Sequence, residues 1–238
     1  MYKTLAITVV ILGMAGLSQA ALLAVDCEPG TNYGTQPGFD SMVCDLGTVP
    51  IVFATSGGQT VTITPSTDAG TATLSASNKG SKDPGNGFPR NLAMYDMVRN
   101  NASNWGNVNA DIPVLELDIA GLQPETEYPL LIGSLSVYRE LFQIVRPMRG
   151  TTGPTLVSAD APFPQVLGDC EVEGLYTTDA AGVLSVDVVF DQAAAQAFVA
   201  GGGISVDTQA VISYIMIPEP ATLSLLALGA LAAIRRRR

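Results

Sequence analysis

Three carboxylate pairs are the residues of this sequence whose type and spacing best suit chemistry. They are Glu116 with Asp118, Glu125 with Glu127, and Glu171 with Glu173. In an extended segment residues i and i+2 share one face of a strand, and two suitably separated carboxylates can serve a glycosidase. The simpler interpretation is a solvated strand face, because a chain with 22 acidic residues forms such pairs by chance. We therefore assign no catalytic residue and expect no enzyme, the alternative being a polysaccharide-acting glycosidase or lyase.

Histidine is absent from all 238 residues. Its absence excludes Ser-His-Asp and Cys-His catalysis and histidine-bound zinc. A catalytic thiol would lack its usual histidine partner. Among the three cysteines, a disulfide between Cys27 and Cys44 would close a short loop. Pairing of either with Cys170, or a reduced state, stays open.

One asparagine-rich stretch suits carbohydrate binding. Trp105, the single tryptophan, lies in it, and an exposed aromatic ring beside amide and guanidinium groups is suited to a sugar ring. The candidate ligand-binding residues are Arg90, Tyr95, Asn104, Trp105 and Asn107. The other interpretation is that Trp105 packs over one end of the fold.

The charge distribution narrows the possible partners. Residues 21–217 include 7 basic and 21 acidic side chains, so no cluster of Lys and Arg tracks a phosphate backbone and nucleic acid is not expected as a partner. We expect no cofactor. The one metal that acidic loops outside a cell suggest is a structural Ca²⁺, with Asp26, Glu28, Asp40 and Asp45 as its candidate ligands.

Short strands must position these residues. Segment 114–120 alternates, with Leu115, Leu117 and Ile119 facing inward. Segment 59–64 also alternates, and we expect it to end at Pro65 and to form a hairpin with 71–77. Helical spacing predicts one short helix over 91–99, and alanine-rich 192–200 predicts a helical turn at an edge. About nine to eleven short strands indicate an all-β, antiparallel sandwich.

Two resemblances refine this fold class. The first is a strand–turn–strand pattern formed by Leu117, Ile119, Leu122, Pro124, Thr126 and Tyr128. It is similar to the tyrosine corner of fibronectin type III and related sandwiches, which implies that the Tyr128 hydroxyl bonds backbone at a turn between sheets. The second rests on segments in a fixed order, and this order resembles jelly-roll domains akin to galactose-binding and malectin-like modules. The segments are Val25-Asp26, Gln36-Pro37-Gly38-Phe39, Tyr95-Asp96-Met97-Val98, the leucine-rich strand with its proline turn, and Thr178-Asp179-Ala180-Ala181-Gly182-Val183-Leu184. This resemblance implies one jelly-roll β-sandwich over residues 21–217.

Residues 1–20 have the features of a secretory signal peptide. Lys3 precedes an uncharged apolar segment, and small residues end the stretch. We expect a signal peptidase to cleave between Ala20 and Ala21.

The C-terminal segment 218–238 combines three features in a fixed order. The first is the triplet Pro218, Glu219 and Pro220. The second is an apolar stretch that includes Leu223, Leu225, Leu226, Leu228 and Leu231. The third is a basic stop formed by Arg235, Arg236, Arg237 and Arg238. The 14 uncharged residues from 221 to 234 would form a helix about 21 Å long, shorter than the ~30 Å hydrocarbon core. We expect this transmembrane helix to hold a precursor only marginally, the alternative being an ordinary tail anchor.

This order of features resembles the PEP-CTERM sorting signal of bacterial envelope proteins. The resemblance implies processing by an exosortase, a membrane-embedded protease, and a destination at the cell surface or in the extracellular matrix. Such proteins are linked to exopolysaccharide and biofilm. The sequence therefore predicts a signal peptide (1–20), a jelly-roll body (21–217) and a sorting segment (218–238). The predicted role is structural or adhesive, with carbohydrate as the candidate ligand.

Overall fold

The computed structural model describes residues 21–28, 39–43, 50–55, 58–67, 75–78, 96–101, 107–109, 112–134, 140–158, 171–204 and 206–218. The predicted signal peptide and the predicted apolar helix of the sorting segment lie outside these ranges. The described chain is mostly β-strand with one helix. Its elements are β1 (Ala21–Glu28), β2 (Asp40–Val43), β3 (Ile51–Ala54), β4 (Thr60–Thr67), β5 (Ser75–Asn78), β6 (Asp96–Asn101), β7 (Val114–Ala120), β8 (Glu127–Gly133), β9 (Glu140–Leu141), β10 (Gln143–Pro147), β11 (Leu156–Val157), β12 (Glu171–Thr177), β13 (Leu184–Phe190), α1 (Gln192–Ala200), β14 (Val206–Asp207), β15 (Gln209–Ile212) and β16 (Tyr214–Pro218).

Two large sheets face each other. The five-stranded sheet has the order β12-β8-β16-β1-β2, and the six-stranded sheet has the order β11-β10-β13-β7-β4-β3. Two smaller sheets, β14-β9 and β15-β6-β5, complete the described strands. The pairs β1–β2 and β9–β14 are parallel and the other described pairs are antiparallel. The predicted antiparallel class is therefore confirmed with two parallel exceptions.

The core lies between the two large sheets. In β7, alternate residues Leu115, Leu117 and Ile119 are fully buried. They face a layer from the other sheet that contains Leu130, Ile132, Ile215 and Ile217. Burying one such side chain stabilises the fold by about 1.5–3 kcal/mol, so the inward face predicted for β7 is confirmed and contributes strongly to stability.

Four antiparallel pairs nest inside one another along the chain. The outermost is β1 with β16, and the next is β7 with β13. Inside these lie β8 with β12 and then β10 with β11. In such nesting, each strand of the first half of the chain pairs with a strand of the second half, in reverse order. The first and last described strands therefore pair with each other in the five-stranded sheet.

Tyr128 fixes the corner where the chain leaves the six-stranded sheet and enters the five-stranded sheet. Its buried hydroxyl accepts a hydrogen bond from the backbone N–H of Gln123 at 3.0 Å. The Thr178 hydroxyl accepts from the Thr126 N–H at 3.0 Å and donates to the Gln123 carbonyl at 2.7 Å. The predicted tyrosine corner is therefore confirmed, and Thr178 fastens it to the turn after β12.

That neighbouring turn, at residues 179–182, is held by an aspartate side chain. The Asp179 carboxylate accepts hydrogen bonds from the N–H groups of Ala181 and Val183, at 2.9 and 2.8 Å. An aspartate side chain that bonds backbone two residues ahead mimics a turn. The sequence of this segment thus encodes its own reversal between β12 and β13.

A buried glutamine side chain joins two sheets. The Gln143 amide accepts a hydrogen bond from the Val211 N–H at 2.6 Å and donates to the Val211 carbonyl at 3.2 Å. Ser134 donates to the same carbonyl at 2.7 Å. Buried backbone groups must be paired. The Gln143 side chain pairs the N–H and the carbonyl of Val211, as a neighbouring strand would do for β15.

The helix α1 covers a second, smaller core. Asp191 caps it by accepting a hydrogen bond from the Ala194 N–H at 3.0 Å. Phe198 packs against Phe142 with ring centroids 5.3 Å apart. The helical turn predicted over 192–200 is therefore confirmed as a nine-residue helix.

The loop 151–158 covers the edge of the sandwich beside β12. Thr152 and Thr177 form a backbone bridge. The ring of Tyr176, fully buried beneath this loop, lies so close to Gly153 that an added Cβ there would be 2.4 Å from it. The Tyr176 hydroxyl has no hydrogen-bond partner among the described residues.

Two predictions of local structure are wrong. The strand β4 does not form a hairpin with 71–77. It pairs with β3 and β7, whereas β5 pairs with β6. Alternation determines which face of a strand is buried, not which strand is its neighbour. Pro65 does not end β4, because β3 reaches only to Ile63 and proline is tolerated where one side of a strand is open.

The predicted helix over 91–99 is wrong in its second half. Residues 96–99 belong to β6, the central strand of the three-stranded sheet. Residues 91–95 lie outside the described part of the chain. Pairing with β5 on one side and β15 on the other outweighs a weak helical spacing, since propensity yields to tertiary context.

Two tyrosines allow a matched test of the corner. Tyr128→Phe removes a hydroxyl that holds the Gln123 N–H, and we expect it to lower the free energy of unfolding by about 1 kcal/mol. Tyr176→Phe removes a buried hydroxyl without a described partner, and we expect no loss or a small gain in stability. Urea denaturation of both variants at pH 7 measures the difference. Equal destabilisation by the two changes would contradict this assignment.

Tyr176 also predicts a loss of stability at alkaline pH. Burial raises the pKa of Tyr176 from its ordinary value near 10 to about 12. Between these values the unfolded chain loses the phenolic proton while the folded protein keeps it, so the free energy of unfolding falls as the pH rises. Tyr176→Phe should flatten this fall between pH 10 and 12 in urea titrations, and Tyr128→Phe, which retains Tyr176, should keep it. A slope unchanged in Tyr176→Phe would refute the effect.

Candidate functional site

The two ends of the described body lie side by side. In the antiparallel pair of β1 and β16, Ala21 is opposite Pro218, and Val25 is opposite Ile215. The first residue of the predicted mature chain and the first residue of the Pro-Glu-Pro triplet therefore meet at the same end of the five-stranded sheet.

Pro218 is the last residue of a central strand. The strand β16 lies between β1 and β8, and its residue Ile217 is fully buried. Pro218 itself is half-buried. Proline has no N–H to donate, so Pro218 gives no hydrogen bond to the ladder at this position. The sorting triplet thus begins inside the folded body, with no linker between them.

Three carboxylates form a row on the outer face of the six-stranded sheet. This acidic row consists of Glu116 and Asp118 on β7 and Asp187 on β13, where Asp187 is directly opposite Glu116. Like charges in opposite positions destabilise a sheet. Two arginines offset this repulsion.

Arg146 binds one member of the acidic row. Its Nε lies 2.8 Å from each carboxylate oxygen of Asp187, a residue that is almost fully buried. The hydrogen bond to Asp187 raises the pKa of the Arg146 guanidinium. A forked contact of this kind is stronger than a neutral hydrogen bond.

Arg149 binds the other two members. One guanidinium nitrogen contacts Glu116 and another contacts Asp118. Arg149 and Gly150 both have positive φ, at 47° and 91°, and the Thr151 N–H bonds the Met148 carbonyl at 2.9 Å. Turns with two positive φ angles usually carry Asn-Gly or Gly-Gly. We infer that arginine occupies this costly position because its long side chain reaches back to β7.

Glu116 and Asp118 make contacts that hold strands and turns together. Both carboxylates bind the same guanidinium, and each also accepts a hydroxyl: Ser66 donates to Glu116 at 3.2 Å and Ser185 to Asp118 at 2.6 Å. They share the outer face of one sheet rather than facing each other across a cleft, as a glycosidase requires.

The other two carboxylate pairs have different surroundings. Glu125, in the corner turn, has a φ of 48°, and it is exposed like Glu127. Glu173 is exposed as well, whereas Glu171 accepts a hydrogen bond from the Tyr214 hydroxyl. The Tyr214 ring passes so close over Gly133 that no side chain fits there, and Phe39 meets it edge-on at 5.9 Å.

The predicted carbohydrate site is described at one position only. Asn107 is exposed, and its side chain accepts a hydrogen bond from the Asn109 N–H at 3.0 Å. The Gln196 amide of α1 binds the Asn109 side chain at 3.0 Å. This anchors the loop to the helix. Arg90, Tyr95, Asn104 and Trp105 lie outside the described residues.

The predicted disulfide and calcium site are described only in part. Cys27 is fully buried in the main core and Asp26 is fully buried in β1, whereas Asp40 is exposed. Cys44 and Asp45 lie outside the described ranges. Within those ranges no group of three or more His, Cys, Asp or Glu residues could hold a metal ion.

Sequence reasoning missed the partners of the acidic row. The dipeptide Arg149-Gly150 after Pro147 is a turn signal, and it could have placed Arg149 at a reversal. Nothing local indicates that the turn faces β7. Arg146 and Asp187 lie 41 residues apart, and only the sheet topology brings them together.

Comparison with known proteins identifies one segment. A family model described as the PEP-CTERM protein-sorting motif matches residues 217–238. No curated protein and no solved structure matches the chain. No helix within the described residues has both the length and the apolar character needed to span a bilayer.

The match defines where the protein goes. The motif marks a protein that an exosortase sorts to the cell surface. The protein is secreted and associated with the cell envelope, and it is anchored transiently in the membrane before processing. The predicted recognition of residues 218–238 is thereby confirmed, with Ile217 added to the matched segment.

Arg149 should stabilise the body through the acidic row. Arg149→Met keeps the length of the side chain and removes its charge, and we expect a loss of about 1 kcal/mol, because half of the arginine is exposed and solvent screens the contacts. The loss should shrink in 1 M NaCl and in a Glu116→Gln/Asp118→Asn background. Urea denaturation of the four proteins gives this cycle. The same loss in both backgrounds would exclude a role through the carboxylates.

Proposed function

We propose that the protein is a structural or adhesive component of the cell surface or extracellular matrix and that it binds exopolysaccharide. The sorting motif delivers the whole folded body, because the last described strand ends on the first residue of the triplet. The observation that carries the non-catalytic role is the outer face of the six-stranded sheet. Its carboxylates are bound by arginines and serines, so their charges are satisfied by contacts within the sheet.

We further propose that the body is a jelly roll akin to galactose-binding and malectin-like modules. The support is the nested pairing of β1–β16, β7–β13, β8–β12 and β10–β11. In addition, β16 pairs with β8 and β13 pairs with β10, so each large sheet contains four adjacent strands from the nested pairs. A jelly roll has eight strands in two sheets, and this pairing pattern supports the proposal.

Carbohydrate would bind at the loop before β7. Asn107 is exposed there and α1 holds residues 107–109 through Gln196 and Asn109, so a ligand at Asn107 would meet a positioned backbone. In this proposal Trp105 and Tyr95 supply aromatic surface, and Arg90, Asn104 and Asn107 supply polar groups. A rigid support of this kind lowers the entropic cost of binding.

Binding by the mature protein to exopolysaccharide from its host, and to a glycan array, tests this proposal. Trp105→Ala should weaken binding on the order of tenfold, corresponding to about 1.4 kcal/mol, through loss of an aromatic contact. Val52→Ser is the matched control, since Val52 is an exposed apolar residue of β3. We expect the control to bind like the wild type.

Two outcomes would contradict the proposal. Equal binding by Trp105→Ala and Val52→Ser would exclude this loop as the ligand site. Hydrolysis or lysis of the polysaccharide that is lost in Glu116→Gln/Asp118→Asn would favour the enzyme instead. In that case the acidic row would have a catalytic role despite its arginine contacts.

A further inference from the structure

The geometry of the two chain ends bears on how the precursor is processed. Opposite residues in an antiparallel pair have Cα atoms about 4.5–5.5 Å apart. Because Ala21 and Pro218 are opposite, the chain enters β1 and leaves β16 at nearly the same point. A precursor held by its C-terminal segment therefore presents this end of the sandwich to the membrane.

The strand that carries the start of the motif is required for the fold. β16 separates β1 from β8 in the centre of the five-stranded sheet. Ile215 and Ile217 are fully buried and belong to the main core. Without this strand, β1 and β8 each lose a hydrogen-bonded neighbour and the core loses two large side chains.

The nested pairing sets an order of events during export. A secreted chain crosses the membrane N-terminus first, so β1 arrives outside long before its partner. The outermost pair can close only when residues 214–218 have crossed. At that moment the rest of the sorting segment is still in the membrane, and the body can complete its fold while it remains anchored.

We propose that the body folds before the exosortase acts, so that the folded body, with all of β16 in its sheet, is the substrate of processing. A cut at or before Ile217 would require a central, buried strand to leave the sheet. With water as acceptor, the C–N bond of one peptide breaks. The carbonyl carbon on the body side gains the hydroxyl, and the nitrogen on the tail side gains the proton. This proposal depends on exosortase sorting and not on carbohydrate binding.

The position of the cut can be measured directly. Intact mass and C-terminal peptide analysis of the mature protein from its native host should place the last residue at Pro218 or beyond. Any group transferred to the new carboxyl end adds to this mass without changing the last residue. A mature chain that ends at Ile217 or earlier would overturn the proposal.

The folded state of the substrate is tested by a matched pair of variants. Ile215→Asp places a charge in the core and should prevent folding, whereas Val52→Asp makes the same change at an exposed position of β3. In a pulse-chase experiment, Ile215→Asp should be processed at least tenfold more slowly than the wild type, and Val52→Asp should match it. Processing of Ile215→Asp at the wild-type rate would refute the requirement for a folded body.

A second measurement covers the case in which Ile215→Asp is degraded. In a host strain without exosortase, the wild-type precursor keeps its tail. Proteinase added to spheroplasts should leave a resistant fragment that begins at Ala21 and extends at least to Pro218. A precursor that is digested within the body, while the mature protein resists, would show that folding follows the cut and would overturn the proposal.

Discussion

The pairing of the first and last described strands is the constraint on which the rest of the fold depends. β1 and β16 occupy the centre of the five-stranded sheet, and their register places Val25 opposite Ile215 in the core. Every other nested pair lies between them along the chain. A one-residue slip would turn these apolar residues outward, so this register also determines where the sheet ends at Pro218.

The acidic composition gives two of the basic residues a structural role. Seven Lys and Arg residues accompany 21 Asp and Glu residues between 21 and 217, and the arginines 146 and 149 serve one row of three carboxylates. Strand pairing forces Glu116 and Asp187 into opposite positions. Two nearby arginines offset this repulsion. Arg146 makes a forked contact with Asp187, and Arg149, which lies in a turn, contacts both Glu116 and Asp118.

The sequence predicted correctly which face of a strand is buried, but it did not predict which strands pair with each other. Alternation identified the buried side of β7, and the Leu-Gln-Pro-Glu-Thr-Glu-Tyr segment identified the Tyr128 corner, because both are encoded within a dozen residues. The hairpin assigned to β4 was wrong since its partners, β3 and β7, are chosen by the whole sheet. The strand β11, which forms the innermost nested pair with β10, has only two residues and follows Gly153 and Pro154, so no alternation indicates it.

The sorting signal shows how a motif can be recognised without its structural setting. Composition alone identifies the Pro-Glu-Pro triplet, the apolar stretch and the arginines, and a rigid proline triplet suggests a spacer between body and membrane. The fold places Pro218 instead as the last residue of β16, a central strand of the five-stranded sheet. The same residue is therefore the last of a buried strand and the first of the triplet. A substitution at Pro218 would act on the sheet and on the sorting signal at once, so the two cannot be varied independently at this position.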